Sequence, residues 1–272
     1  MISEKIELLG KGLYNGAIPD ELTLTSIPTA SELDVVGSED FHAVMLDKIL
    51  PNAVAEKGIN FRNLLEIDFD WICRCLRLLN YGPYHTTNTV YCGLCGASYG
   101  EFRVNLNTID CVPLPDKFEN KLKIAKDEFI DFKGDVIIKL PTIQDAINAY
   151  KDKAFINDKG RINRELARMC YMITSIKGKT GLTPVEIKMI IQKEFSAADY
   201  VLLKEAIRNL TDFGLRAGGK TQCPKCRSMD ATFIALTDDR FFRPTVGDLR
   251  EWKRSRSSGS DEELSGSSTA TV

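Results

Sequence analysis

Histidine is nearly absent from this chain: His42 and His85 are the only two in 272 residues. That scarcity withholds the commonest general base at neutral pH, and the carboxylates, scattered over polar helix faces, form no nucleophile–base or acid–base constellation. No enzymatic chemistry is expected. A dominant charge is missing too. With 36 basic and 38 acidic residues the formal net charge is −2, so no global field drives the chain onto nucleic acid or acidic lipid, and any such binding would have to be local. No apolar run approaches the roughly 20 residues needed to span a bilayer, and Met1-Ile2-Ser3-Glu4-Lys5 lacks the apolar core of a signal peptide. The expectation is a soluble protein in a reducing cytoplasm. With 43% hydrophobic and 27% charged residues, the chain can build a sizeable core.

Cysteine, by contrast, is well represented, with eight residues. Four fall in two Cys-x-x-Cys pairs, Cys92-Gly93-Leu94-Cys95 and Cys223-Pro224-Lys225-Cys226, each between segments that alternate like β-strands. Together Cys92, Cys95, Cys223 and Cys226 read as one structural Zn2+ site, tetrahedral and without an open position for water. The 127 residues between Cys95 and Cys223 far exceed the usual spacing of paired knuckles. Closing such a loop costs roughly 4 kcal/mol plus a constant, against about 10–16 kcal/mol of apparent zinc binding energy in small fingers. Closure is therefore feasible, above all if the intervening segment folds and brings its own ends together. Two unrelated reduced pairs, a redox pair and two separate metal sites remain open as alternatives. Cys73, Cys75, Cys111 and Cys170 sit among apolar neighbours and read as small core residues.

The pattern predicts an α+β fold: a zinc-ribbon-like pair of hairpins, interrupted by a mainly helical insertion and preceded by an extended N-terminal arm. The arm and its strand cover 1–37, where Leu22 and Leu24 begin a period-two pattern. Helices plus the first hairpin occupy 38–115. A helix capped by Ser38 is expected over Glu39 to Leu50, and another over Phe69 to Asn80 before Gly82-Pro83. The insertion is 116–214, with a strand at Val136–Leu140, a helix from Thr142 towards Lys151, and helices over Ile162 to Ile176, Thr183-Pro184 to Phe195, and Ser196 to Phe213. Gly178 and Gly214 are the expected stops. The second hairpin and C-terminal segment cover 215–252, and a Ser-rich tail over 253–272 is too polar to order itself.

Three further signals compete with the zinc reading. Gly214 to Thr221 satisfies G-x-x-x-x-G-K-[ST], but a phosphate loop needs a strand before it and a helix after it; here a helix precedes and a Cys-Pro-Lys-Cys turn follows. His85, seven residues before Cys92, is the only substitute metal ligand, and His42 fits the apolar pattern of a helix. Arg216, Lys220, Lys225, Arg227, Arg240 and Arg243 cluster around the second knuckle, which makes a nucleic-acid-binding zinc ribbon the alternative function. Asp230, Asp238 and Asp239 interrupt that patch and no run of aromatics interleaves it as base stacking would want, so a solvated face is the simpler reading.

The order of landmarks carries a resemblance. Lys11-Gly12-Leu13-Tyr14 leads to Ile18-Pro19-Asp20-Glu21-Leu22-Thr23-Leu24, then to a Trp- and Leu-rich helix ending Leu79-Asn80-Tyr81-Gly82. The Cys92–Cys95 knuckle and Leu114-Pro115 follow, and Cys223-Pro224-Lys225-Cys226 precedes Phe241-Phe242-Arg243-Pro244. Over residues 8–244 this resembles the base plate hub assembly family of contractile-tailed bacteriophages, the T-even-type hub protein and its relatives. The resemblance implies a non-enzymatic protein of tail assembly, partnered by other base plate hub, tail-tube or tape-measure proteins; composition adds the expectation of no membrane partner and leaves nucleic acid as the weaker alternative. It implies residence in the host cytoplasm during assembly or in the virion's base plate. The knuckles depart from the commoner Cys-Pro-x-Cys-Gly form, with Gly93 in place of proline and Arg227 in place of glycine.

Overall fold

The computed structural model describes residues 2–28, 31, 40–87, 90–99, 102–115, 117–157, 160–216, 218–223, 225–233, 239–242 and 244–258. The architecture is mixed helix and strand, and among the described residues the buried side chains form two hydrophobic clusters. Among the described residues no helix is long and apolar enough to cross a membrane.

Strands β1 (Ser3–Glu7) and β2 (Glu21–Thr25) pair antiparallel, with Ile6 opposite Leu22. Alternation sends Ile6, Leu22 and Leu24 to one buried face, and Leu8 and Ile18 bury beside them. The N-terminal segment is therefore a hairpin packed into the first core rather than an extended arm. A helical run over 41–53 (α1) follows, capped by Asp40, whose carboxylate accepts the Ala43 N–H; Ser38 and Glu39 lie outside the described residues. It winds as a π-helix over Met45–Ile49 before Pro51. The wider turn suits a proline that lacks the N–H and crowds the preceding carbonyls. The long helix α2 (Glu66–Tyr81) buries Phe69, Ile72, Cys73, Cys75 and Leu76 and stops at Gly82, whose φ of 74° few other residues tolerate.

The first metal-ward hairpin is two-tiered. β3 (Tyr84–Thr87) pairs with β6 (Phe102–Asn105), and nearer the tip β4 (Val90–Tyr91) pairs with β5 (Ser98–Tyr99). The chain then passes through β7 (Cys111–Val112) into a second unit. That unit is mainly helical, as expected, but it also holds a sheet that was not: β8 (Lys121–Ile124), β9 (Val136–Lys139), β10 (Ile173–Ile176) and β11 (Lys179–Thr180) form a four-stranded antiparallel sheet in the order β11-β10-β9-β8. Helices α3 (Ile143–Lys151), α4 (Arg164–Met172), α5 (Pro184–Glu194) and α6 (Ala197–Leu210) accompany it. The helix expected over Ile162 to Ile176 ends at Met172, because the β-branched run Ile173-Thr174 begins a strand beside β9. Lys177 and Gly178, at φ 54° and 74°, make the turn from β10 to β11, so Gly178 serves a hairpin and not a helix stop.

The insertion returns where it left. β12 (Gly214–Leu215) pairs with β7, and Arg216 N–H donates to the Asp110 carbonyl at 2.8 Å. This neck brings the ends of the insertion together and removes most of the closure cost that the long Cys95–Cys223 spacing implies. β13 (Gly218–Gln222) and β14 (Met229–Phe233) then form the second hairpin. A further helix, α7 (Val246–Ser258), was not expected and carries the chain past residue 253; the rest of the Ser-rich tail lies outside the described residues. Its start is a capping box: Asp248 N–H donates to Thr245 Oγ1, and Thr245 N–H donates back to the Asp248 carboxylate.

Candidate metal centre

The two hairpins meet at their tips, and the Sγ atoms of Cys92, Cys95, Cys223 and Cys226 all lie within 4.8 Å of one another. Each tip is the same turn. Cys92 N–H donates to the Ala97 carbonyl and Gly96 N–H to the Cys92 carbonyl, both at 2.9 Å; Cys223 N–H donates to the Ser228 carbonyl at 2.8 Å and Arg227 N–H to the Cys223 carbonyl at 2.9 Å. The pattern requires a left-handed residue after the second cysteine. Gly96 supplies it at φ 65° and Arg227 at φ 60°. For a non-glycine residue that conformation costs about 1–2 kcal/mol.

The spacing suits metal rather than disulfide. Cys92 Sγ is 3.5 Å from Cys226 Sγ, and Cys95 Sγ is 3.8 Å from Cys223 Sγ, whereas a disulfide needs about 2.05 Å. Four sulfurs at about 2.3 Å from a central ion in a tetrahedron stand roughly 3.8 Å apart. Cys92 and Cys223 are buried, and Cys95 and Cys226 reach solvent. The Ser228 hydroxyl lies 3.0 Å from Cys226 Sγ and 3.4 Å from Cys92 Sγ. Its hydrogen bond brings the Cys226 thiol down to about 6 and holds Cys92 below the ordinary thiol range. At Cys95 the Ala97 backbone hydrogen bond acts downwards, but burial and the neighbouring sulfurs outweigh it and push the thiol up to about 12. Four thiols this close cannot all ionise by themselves, and a divalent cation among them removes that repulsion. The residues present fit such an ion.

Neither histidine joins the cluster. His85 is buried on β3 with its ring edge-on to Phe241 at 5.4 Å, and His42 stacks on Phe69 at 5.8 Å, where burial lowers its pKa. The remaining cysteines are free; Cys73, Cys75 and Cys170 are buried, and Cys111 sits half-buried on β7. The G-x-x-x-x-G-K-[ST] string lies across β12 and β13, with Lys220 paired to Ala231, so its backbone bonds to strands and not to a phosphate.

Two buried groups behind the tips escaped the sequence reading. Arg77 is fully buried on α2 and donates to the carbonyls of Phe241 at 2.8 Å, Gly82 at 3.0 Å and Tyr84 at 2.7 Å. Asp248 on α7 accepts from Thr86 Oγ1 at 2.6 Å and pairs with Arg103 at 3.4 Å. Both tie the C-terminal segment to the strands that carry the first knuckle. Thr245-Val246-Gly247-Asp248 was a readable cap signal; for Arg77, one charge in an apolar helix face was the only hint.

A depression of about 840 Å3 lies beside β1, lined by Leu8, Leu9, Trp71, Leu114 and Phe118 among others. Trp71 Nε1–H donates to the Glu7 carbonyl at 3.0 Å along that edge. Comparison with protein-family models, curated proteins and solved structures finds no match for this chain.

Proposed function

We propose that Cys92, Cys95, Cys223 and Cys226 hold one structural zinc ion, and that the protein is a non-enzymatic structural or assembly component of a phage tail base plate hub. The observation that carries the metal reading is the convergence of four thiols from two hairpins with one shared turn geometry. Four soft thiolates in a tetrahedral arrangement favour zinc over hard cations. When bound, the ion contributes bond energy and charge neutralisation, and a complete protein ligand set leaves no position at which water or substrate would be activated. The chain's own residues do the rest: Arg77 and Asp248 anchor the strands behind the tips, the β7–β12 neck closes the insertion, and the metal clasps the ends.

The hub assignment rests on the residue order from Lys11-Gly12-Leu13-Tyr14 to Phe241-Phe242-Arg243-Pro244. The packing of the N-terminal hairpin moves the expected partner contact away from a free arm. The exposed Lys225 and Arg227 keep nucleic-acid binding as the second reading. Capture of partners by the full chain from infected cells, alongside DNA and RNA binding at two salt concentrations, separates the two. Recovery of hub, tail-tube or tape-measure subunits supports assembly. Salt-sensitive nucleic-acid binding without tail proteins overturns it.

A further inference from the structure

The second knuckle carries two cations that its fold does not use. Lys225 and Arg227 are exposed, and among the described residues neither side chain has an ion-pair or hydrogen-bond partner. Arg216, at the base of the same hairpin, is by contrast held by Asp212 at 2.6 Å. No acidic residue occurs within either knuckle, 92–97 or 223–229. Arg227 is moreover kept in the left-handed conformation that the first knuckle assigns to Gly96, with the same hydrogen bond to the first cysteine's carbonyl. A strained arginine where glycine fits points to a use for its guanidinium.

We propose that Lys225 and Arg227 are the counter-charges of the four-thiolate centre, stabilising its metal-loaded form. Four thiolates around a divalent ion leave a net charge of −2, and these two residues, one inside the Cys223–Cys226 turn and one directly after it, return the tip to neutrality. The proposal rests on the zinc reading. It also accounts for the basic residues at the knuckle without a nucleic acid.

Zinc competition against a chromogenic chelator, at fixed pH and at low and 1 M salt, tests it on the full chain. R227G removes the charge and relieves the backbone at once, so the two roles predict opposite signs. Counter-charge predicts about three- to tenfold weaker zinc retention at low salt, largely restored in R227K and shrinking at 1 M salt. K225Q, at a position without left-handed strain, should show a loss of the same order. Unchanged or tighter retention in R227G, with K225Q indistinguishable from wild type, overturns the proposal. A wild type that takes up no zinc overturns the metal reading itself.

Discussion

Replacing Arg77 by methionine tests how the C-terminal segment is held over the first hairpin. The guanidinium donates to three backbone carbonyls at 2.7–3.0 Å, from Phe241, Gly82 and Tyr84. Hydrogen bonds to charged groups contribute about 1.5–3 kcal/mol each. Against this stands desolvation, which pulls the arginine pKa down to about 10 and corresponds to roughly 3 kcal/mol at about 1.36 kcal/mol per unit. Methionine keeps much of the packing, recovers the desolvation and orphans three acceptors, so the net loss is about 3 kcal/mol. Arg77→Lys, a point charge without the planar fork, should fall between the two. Urea unfolding reads this as a shift of midpoint at unchanged slope. A variant as stable as wild type would show that the buried arginine is replaceable filling and not a tie.

Two other substitutions probe the same core. Asp70 Oδ1 is buried without a hydrogen-bond partner among the described residues, and burial, with Glu66 nearby, lifts the carboxyl to about 8. The folded pKa lies above the unfolded value near 3.8, so the folded state holds the proton longer and stability declines as pH rises from about 4 to 8. Asp70→Asn should remove that decline, and urea midpoints whose difference from wild type stays constant between pH 5 and pH 8.5 would contradict it. At Gly10 an added Cβ would sit 2.6 Å from Asp68 Oδ2 and 2.7 Å from Leu65 Cδ1, where Asp68 accepts the Gly10 N–H and the Tyr14 hydroxyl. Gly10→Ala should therefore cost about 2 kcal/mol in thermal or denaturant unfolding, and no loss would mean that the loop yields freely.

What was legible was local. Thr142, Thr183 and Ser196 each cap a helix in the structure as the residue pattern predicts, because a capping box is written within four residues. The alternating segments around both cysteine pairs are hairpins for the same reason. What failed was settled at long range. Ile173–Ile176 continues an apolar helical pattern, and only β9 alongside makes it a strand. Residues 3–7 gain their partner from 21–25, across a turn with no repeating period, and so read as an arm. The β7–β12 neck spans 102 positions through two-residue strands that no periodicity could reveal. The four cysteines were visible through spacing, whereas Ser228, which touches two of the sulfurs, had no counterpart in the first knuckle, where Ala97 stands.

Metal content per chain, measured on purified wild type and on Cys92→Ser and Cys223→Ser, bears most directly on the clasp. The account predicts one zinc per chain in wild type and its loss in either variant, because each hairpin supplies half of one site. A metal-free wild type as stable as zinc-supplemented protein, or a variant in one hairpin that keeps its full metal content, would contradict it.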